Sequence, residues 1–194
     1  MTGIASLCVF SGSRLGTDPR HADQAARLGT LLAERGIRLI YGGGGIGLMG
    51  ILAEAVLQAG GHVVGVIPGF LRDLEVGHPG LSELIVVDSM HERKRRMFDL
   101  SDGFVILPGG LGTLDEALEI LTWRQLKLHE KPVIVVNIGG YWSAFDDLIA
   151  RTVEGGFADQ RAQKLSTWVG DVEEVLPAMA TSPQPDITAR ADRL

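Results

Sequence analysis

Cysteine is all but missing from this chain. Cys8 is the only one in 194 residues, so no disulfide can form within the chain, and a reducing compartment fits. Cys8 lies in an apolar, strand-like run, where it reads as a small core residue. With one cysteine, and with His21, His62, His78, His91 and His129 at no metal-ligand spacing, no zinc site is apparent. Long apolar runs are missing too. None approaches membrane-spanning length, and no basic segment precedes the first strand, so no signal peptide is expected. Positive charge is in short supply: 18 Lys and Arg against 24 Asp and Glu give a net charge of −6. That balance argues against broad binding to nucleic acid or to an acidic membrane. No G-x-S-x-G elbow, Ser-His-Asp arrangement or internal repeat stands out. These absences point to a cytoplasmic protein.

What is present is an ordinary globular composition, 45% hydrophobic and 22% charged, in a chain long enough to bury a full core as one domain. Apolar runs of strand length fall at residues 4–10, 37–41, 62–67, 84–87, 104–107, 132–137 and, more weakly, 166–169. Helical periodicity fills the gaps, at about 19–35, 47–58, 90–100, 114–128, 143–154 and 172–180. Continuously apolar strands alternating with helices predict an α/β fold, a Rossmann-like doubly wound parallel sheet with helices on both faces. Residues 1–180 form the expected domain. Ser-Pro-Gln-Pro and scattered charges mark 181–194 as a loose tail.

The unusual sequence gathers where the strands end. The first strand is followed by Ser11-Gly12-Ser13-Arg14 and the second by a glycine run from Gly42 to Gly50. Asp88 to Lys94 follows the fourth strand, and Pro108-Gly109-Gly110-Leu111-Gly112-Thr113 with Glu116 follows the fifth. In open parallel sheets a ligand binds beyond the carboxyl ends, near the topological switch point. The fifth-strand turn has glycines that admit backbone close to a ligand, ahead of a helix start whose unpaired N–H groups suit a phosphate. Thr113-x-x-Glu116 is also the spacing of a capping box, so Glu116 reads either as a helix cap or as an acid beside the ligand. The glycine run matches G-x-G-x-x-G, but the third strand ends in Ile67-Pro68-Gly69, with no acid for a ribose. A dinucleotide-dependent oxidoreductase is disfavoured on that ground. Ser89-x-x-Glu92 predicts a helix start near Met90. Met90, Arg93, Lys94 and Met97 then share one face, while Arg95 and Arg96 fall on a solvated one. A buried Arg93 requires an anion, either a structural carboxylate or a ligand. Trp123 reads as core or interface; as i+7 from Glu116 it is also placed to edge a pocket.

Taken together these residues resemble the LOG family of cytokinin-activating phosphoribohydrolases. Pro108 to Glu116 is similar to its PGGxGTxxE signature. Ser11-Gly12-Ser13, YGGGGIGLMG over 41–50, DSMHERK over 88–94 and Thr122-Trp123-x-Gln125-Leu126 extend the likeness. The resemblance implies hydrolysis of the N-glycosidic bond of adenosine 5'-monophosphates, N6-substituted ones preferred, by a homodimer with no metal or redox cofactor. It places the catalytic pair on Glu116 and Arg93. Nucleotide contacts would fall on Ser11, Gly12, Ser13, Gly43, Gly44, Met90, Lys94, Gly109, Gly110, Leu111, Gly112 and Thr113. Whether residues 71–75, on the loop after the third strand, close over the base is left open by the sequence. Many relatives carry the label lysine decarboxylase, yet none of Lys94, Lys127, Lys131 and Lys164 sits in an evident pyridoxal phosphate setting. A non-catalytic carrier of a nucleotide-like ligand, of the kind that binds molybdenum cofactor, is the alternative, and the intact Arg93 and Glu116 pair tells against it.

Overall fold

The computed structural model describes residues 3–72 and 78–182. Each of the seven apolar runs forms a strand: β1 (Ser6–Phe10), β2 (Arg38–Tyr41), β3 (Val63–Pro68), β4 (Glu83–Val87), β5 (Gly103–Ile106), β6 (Val133–Val136) and β7 (Thr167–Val169). All pair in parallel, in the order β4-β3-β2-β1-β5-β6-β7. The chain winds one way from β1 to β4, then restarts beside β1 and winds the other way from β5 to β7. The switch point therefore lies between the carboxyl ends of β1 and β5.

The helices are α1 (Arg20–Glu34), α2 (Gly47–Gln58), α3 (Gly69–Arg72), α4 (Met90–Asp99), α5 (Leu111–Gln125), α6 (Ser143–Glu154) and α7 (Val175–Thr181). Alternation along each strand feeds two cores. Leu7, Val9, Val105 and Val136 face Leu28 of α1, Leu52 and Val56 of α2 and Met179 of α7. Cys8, Phe10, Phe104 and Ile106 face Met97 of α4, Ala117 and Ile120 of α5 and Phe145 of α6. Burial of both faces is why these strands read as unbroken apolar runs. Where α1 crosses α2, a side chain at Gly29 would strike the Leu52 carbonyl and the Ala55 methyl. Close helix packing there outweighs the cost of about 1 kcal/mol for glycine inside a helix.

Three expectations are revised. The short α3 was not expected, and it takes in residues 71 and 72 of the loop after the third strand; residues 73–75 lie outside the described residues. The last helix opens with a 3-10 turn over Val172–Glu174, set by an Asp171 and Glu174 capping box, and α7 proper begins at Val175. The fifth helix starts at Leu111 rather than 114, with consequences for Glu116 described below. The expected tail falls, from residue 183 onward, outside the described residues.

Asp102 joins the two strands of the switch point. Its carboxylate accepts from the Ala5 and Ser6 amides at 2.9 Å and from the Ser6 hydroxyl at 3.0 Å. Partial burial acts to raise its pKa, but these donors more than offset it and hold the carboxyl below its ordinary value. A depressed folded-state pKa gives stability that is present above the unfolded group's titration and lost as pH falls through the folded value. Asp102→Asn is therefore expected to lose about 1 kcal/mol at neutral pH, the bonds being near the surface. Thermal melts should show the gap to the parent closing below about pH 4. An equal gap at pH 7 and pH 3 would rule out this role for the charge.

Candidate active site

The rim of the switch point is tied together by Gly12. Its amide donates to the Pro108 carbonyl at 3.0 Å, and its own carbonyl accepts from the Leu48 and Met49 amides at 3.0 and 3.3 Å. The first N–H groups of α2 are thus satisfied within the protein. A side chain at Gly12 would press on the Gly109 Cα at 3.2 Å, and one at Gly47, whose φ is +63°, would overlap the Ser13 and Arg14 backbone. These glycines let the β1, β2 and β5 loops stack backbone on backbone.

The start of α5 is different. Gly110 is the N-cap, in extended conformation, and no side chain caps the helix. Leu111, Gly112 and Thr113 form the first turn, so Glu116 lies three residues beyond the third helical position. The capping-box reading of Thr113 and Glu116 is overturned. Helical geometry puts Gly112 and Thr113 on the same ridge as Glu116, at i−4 and i−3. Thr113 is buried, and its side chain fills the space that a Cβ on Gly109 would need. At Gly110 and Gly112 nothing lies within 4 Å of where a Cβ would stand. These two glycines are not there for packing.

A cavity of about 550 Å³ opens at this helix start. Gly12, Ser13, Gly109, Gly110 and Leu111 line it, together with Arg14, Leu15, Gly16, His21, Leu48, Pro108 and Tyr141. None of the described residues lining it carries a carboxylate, although the chain as a whole is acidic. One guanidinium and an uncapped helix N-terminus make it a cavity for an anion. Below the rim the Ser11 hydroxyl is buried without a hydrogen-bond partner. Sequence reasoning missed Tyr141. The signal available was the pair Gly139 and Gly140 at the end of β6, both at positive φ, where the chain turns back toward the same rim.

Arg93 and Glu116 lie on the other side of the α5 start, in the α4–α5 layer. The face shared by Met90, Arg93, Lys94 and Met97 does turn inward: Arg93 is 4% and Met97 1% exposed. Arg95 and Arg96 are exposed, and Arg95 pairs with Asp99 in the next turn. Ser89 caps α4 through the Glu92 amide at 3.1 Å, as the spacing predicts. The Arg93 guanidinium donates to the Gly42 carbonyl at 3.0 Å and approaches the Met90 sulfur at 3.9 Å. Glu116 is half-buried. Both groups act on the thiol of Cys8 beneath them. Burial pushes that thiol well up, Glu116 pushes it further, and Arg93 pulls it back.

Lys94 bridges α4 to α5, 3.1 Å from Asp115 and 3.1 Å from Glu119. Burial acts to lower its pKa, but the two carboxylates outweigh it and keep the ammonium charged. Lys94 thereby fixes the helix that carries Glu116 against the one that carries Arg93. Gly43, at φ +80°, packs on Ile67 and Leu84 at the end of β3. Gly44 is buried in the same loop. Trp123 packs edge-on against Phe98, 5.2 Å between centroids, and does not line the cavity. Among the described residues no helix is long and apolar enough to cross a membrane, and no three His, Cys, Asp or Glu side chains group to hold a metal.

The fold and rim define a Rossmann-like protein with an anion cavity at its switch point and an acid on the helix that opens there. A family profile described as "Possible lysine decarboxylase" matches residues 49–179. The chain is 43% identical over 170 residues to cytokinin riboside 5'-monophosphate phosphoribohydrolase LOG1 of Arabidopsis thaliana, covering 88% of this chain and 80% of that one. It is 41% identical over 170 residues to the LOG7 phosphoribohydrolase of the same plant, covering 88% and 78%. The chain belongs to the LOG phosphoribohydrolase family. In fold it also resembles the molybdenum cofactor binding protein of Rippkaea orientalis. The TM-score is 0.69 at 21% identity, over 93% of this chain and 98% of that one.

Two substitutions test the geometry. Gly112→Ala adds a methyl group that meets no protein atom, so stability is expected to hold or rise by up to about 1 kcal/mol. That methyl intrudes between the helix start and Glu116, so kcat/KM is expected to fall at least about tenfold. Unchanged turnover would show that this ridge is not where substrate lies. At Gly42 an added Cβ would fall on the Arg93 guanidinium. Gly42→Ala is expected to cost turnover at least about tenfold by moving Arg93 without replacing it. Steady-state kinetics beside a thermal melt decides both.

Proposed function

We propose that this protein hydrolyses the N-glycosidic bond of adenosine 5'-monophosphates, N6-substituted ones preferred, giving the free base and ribose 5-phosphate. One observation carries the reading: the uncapped first turn of α5 and the acid share a single ridge, on which Gly112 leaves the space beside Glu116 open. From Gly112 to Glu116, four residues apart on that ridge, the helix rises about 6 Å. That is a span suited to a ribose phosphate laid along the helix, its phosphate at the first turn and its anomeric carbon at the acid. The names of the relatives at 41–43% identity agree with this chemistry.

Cleavage of the bond to the base leaves oxocarbenium character on the ribose, and water then adds at the anomeric carbon. Water supplies the hydroxyl that stays on the sugar and the proton that leaves with the base. Glu116 would stabilise the developing positive charge and accept a proton from the attacking water. Arg93, held by the Gly42 carbonyl, would keep the carboxylate ionised and aimed. Binding of the remote phosphate would align the reacting carbon. Lysine decarboxylation fits the site less well. No lysine lines the cavity, Lys94 is held by two acids, and Lys131 lies 4.0 Å over the Phe98 ring with its ammonium on the Phe98 carbonyl.

The protein is read as a cytoplasmic homodimer with no nucleic-acid or membrane partner. Leu118, Leu126 and Leu128, exposed along and just beyond α5, supply apolar surface for self-association. The net charge of −6 supports the absence of a polyanionic partner.

Chromatography of products from AMP and from N6-isopentenyl-AMP tests the activity. The expected result is free base and ribose 5-phosphate, more from the modified nucleotide, with Glu116→Gln at least about 10²-fold slower. Tight nucleotide binding without release of base would overturn the reading in favour of a carrier.

A further inference from the structure

The turn from Pro108 to Gly110 presents three carbonyl oxygens beside the place where an anion is to bind. Two are tied by backbone: Pro108 accepts from the Gly12 amide at 3.0 Å and Gly110 from the Leu114 amide at 3.0 Å. The third, on Gly109, is tied by a side chain alone. The Tyr141 hydroxyl donates to it at 2.6 Å. With each of these three carbonyls hydrogen-bonded and the helix start uncapped, this turn offers its amides toward the cavity. A carbonyl lone pair turned toward a phosphate would repel it, and a partly water-excluded pocket strengthens that repulsion.

Tyr141 is built into this position. It reaches Gly109 from the connection between β6 and α6, 32 residues away in sequence. Gly139 and Gly140, both at positive φ, turn that connection, and the Asn137 side chain accepts from the Trp142 amide at 2.7 Å to hold it. The Tyr141 ring stands on the edge of the buried His21, 5.3 Å between centroids, and packs on Trp142 at 4.8 Å. Its face lines the cavity.

We infer that Tyr141 is the positioning residue that makes this cavity selective for a phosphate monoester, by masking the Gly109 carbonyl so that the turn offers the anion donors only. The inference rests on the proposed nucleotide glycosidase reading and adds to it the residue that separates nucleoside monophosphates from the corresponding nucleosides. Tyr141 does not touch the glycosidic bond; it acts through the turn.

The test is Tyr141→Phe, which keeps the ring and its packing and removes only the donor. Calorimetric titration with ribose 5-phosphate reads anion binding without turnover, and kinetics are taken on N6-isopentenyl-AMP and on its phosphate-free riboside. The variant is expected to bind ribose 5-phosphate about tenfold more weakly, a difference of about 1.4 kcal/mol. KM for the monophosphate should rise by a similar factor. kcat should stay within about twofold, the riboside should be unaffected and Tm unchanged. Unchanged affinity for ribose 5-phosphate, or an equal loss on the riboside, would overturn the inference. If the parent protein binds ribose 5-phosphate yet releases no base, the glycosidase reading fails and the titration still decides the role of Tyr141.

Discussion

The peptide of Gly12 is the point on which the site hangs. Its amide holds the Pro108 carbonyl and its carbonyl holds the first amides of α2. One residue between β1 and β5 thus fixes three loops that begin on different strands. Glycine favours this, because a Cβ here would stand only 3.1 Å from the Arg14 carbonyl and 3.2 Å from the Gly109 Cα. With α2 satisfied internally and α5 left uncapped, two helix starts at one rim have opposite roles. One is structural and the other is open to an anion.

Electrostatics follow from that division. The chain is acidic overall, yet no described residue lining the switch-point cavity carries a carboxylate, and the carbonyls of the fifth-strand turn are all occupied. The acids around the site lie instead along α5, where Asp115 and Glu119 hold Lys94 and Glu116 faces the layer of Arg93. A buried guanidinium is costly unless paired. Here it accounts for part of the geometry by fixing the Gly42 carbonyl, and a side chain at Gly42 would displace it.

Much of this was legible in the sequence. Both faces of the sheet are buried, so its strands appear as unbroken apolar runs, and the stripe from Met90 to Met97 showed the inward face of α4. The glycine-rich strand ends marked the rim. The capping pattern at Thr113 and Glu116 misled because spacing gives the relation between two residues but not where the helix starts. Gly110 starts it with backbone conformation alone, leaving no side-chain signal. The destination of Lys94 was hidden because its partners sit 21 and 25 positions on, in a different helix. Tyr141 was hidden for a related reason: its partner is a main-chain oxygen, which no residue pattern encodes.

The central claim is that the phosphate lies at the first turn of α5 and the anomeric carbon at Glu116. A crystal structure of Glu116→Gln with bound AMP tests it directly. The account predicts phosphate oxygens on the amides of Leu111, Gly112 and Thr113, with the ribose passing over Gly112 to residue 116. A phosphate bound instead beside Arg93, with the base in the cavity under Tyr141, would contradict it.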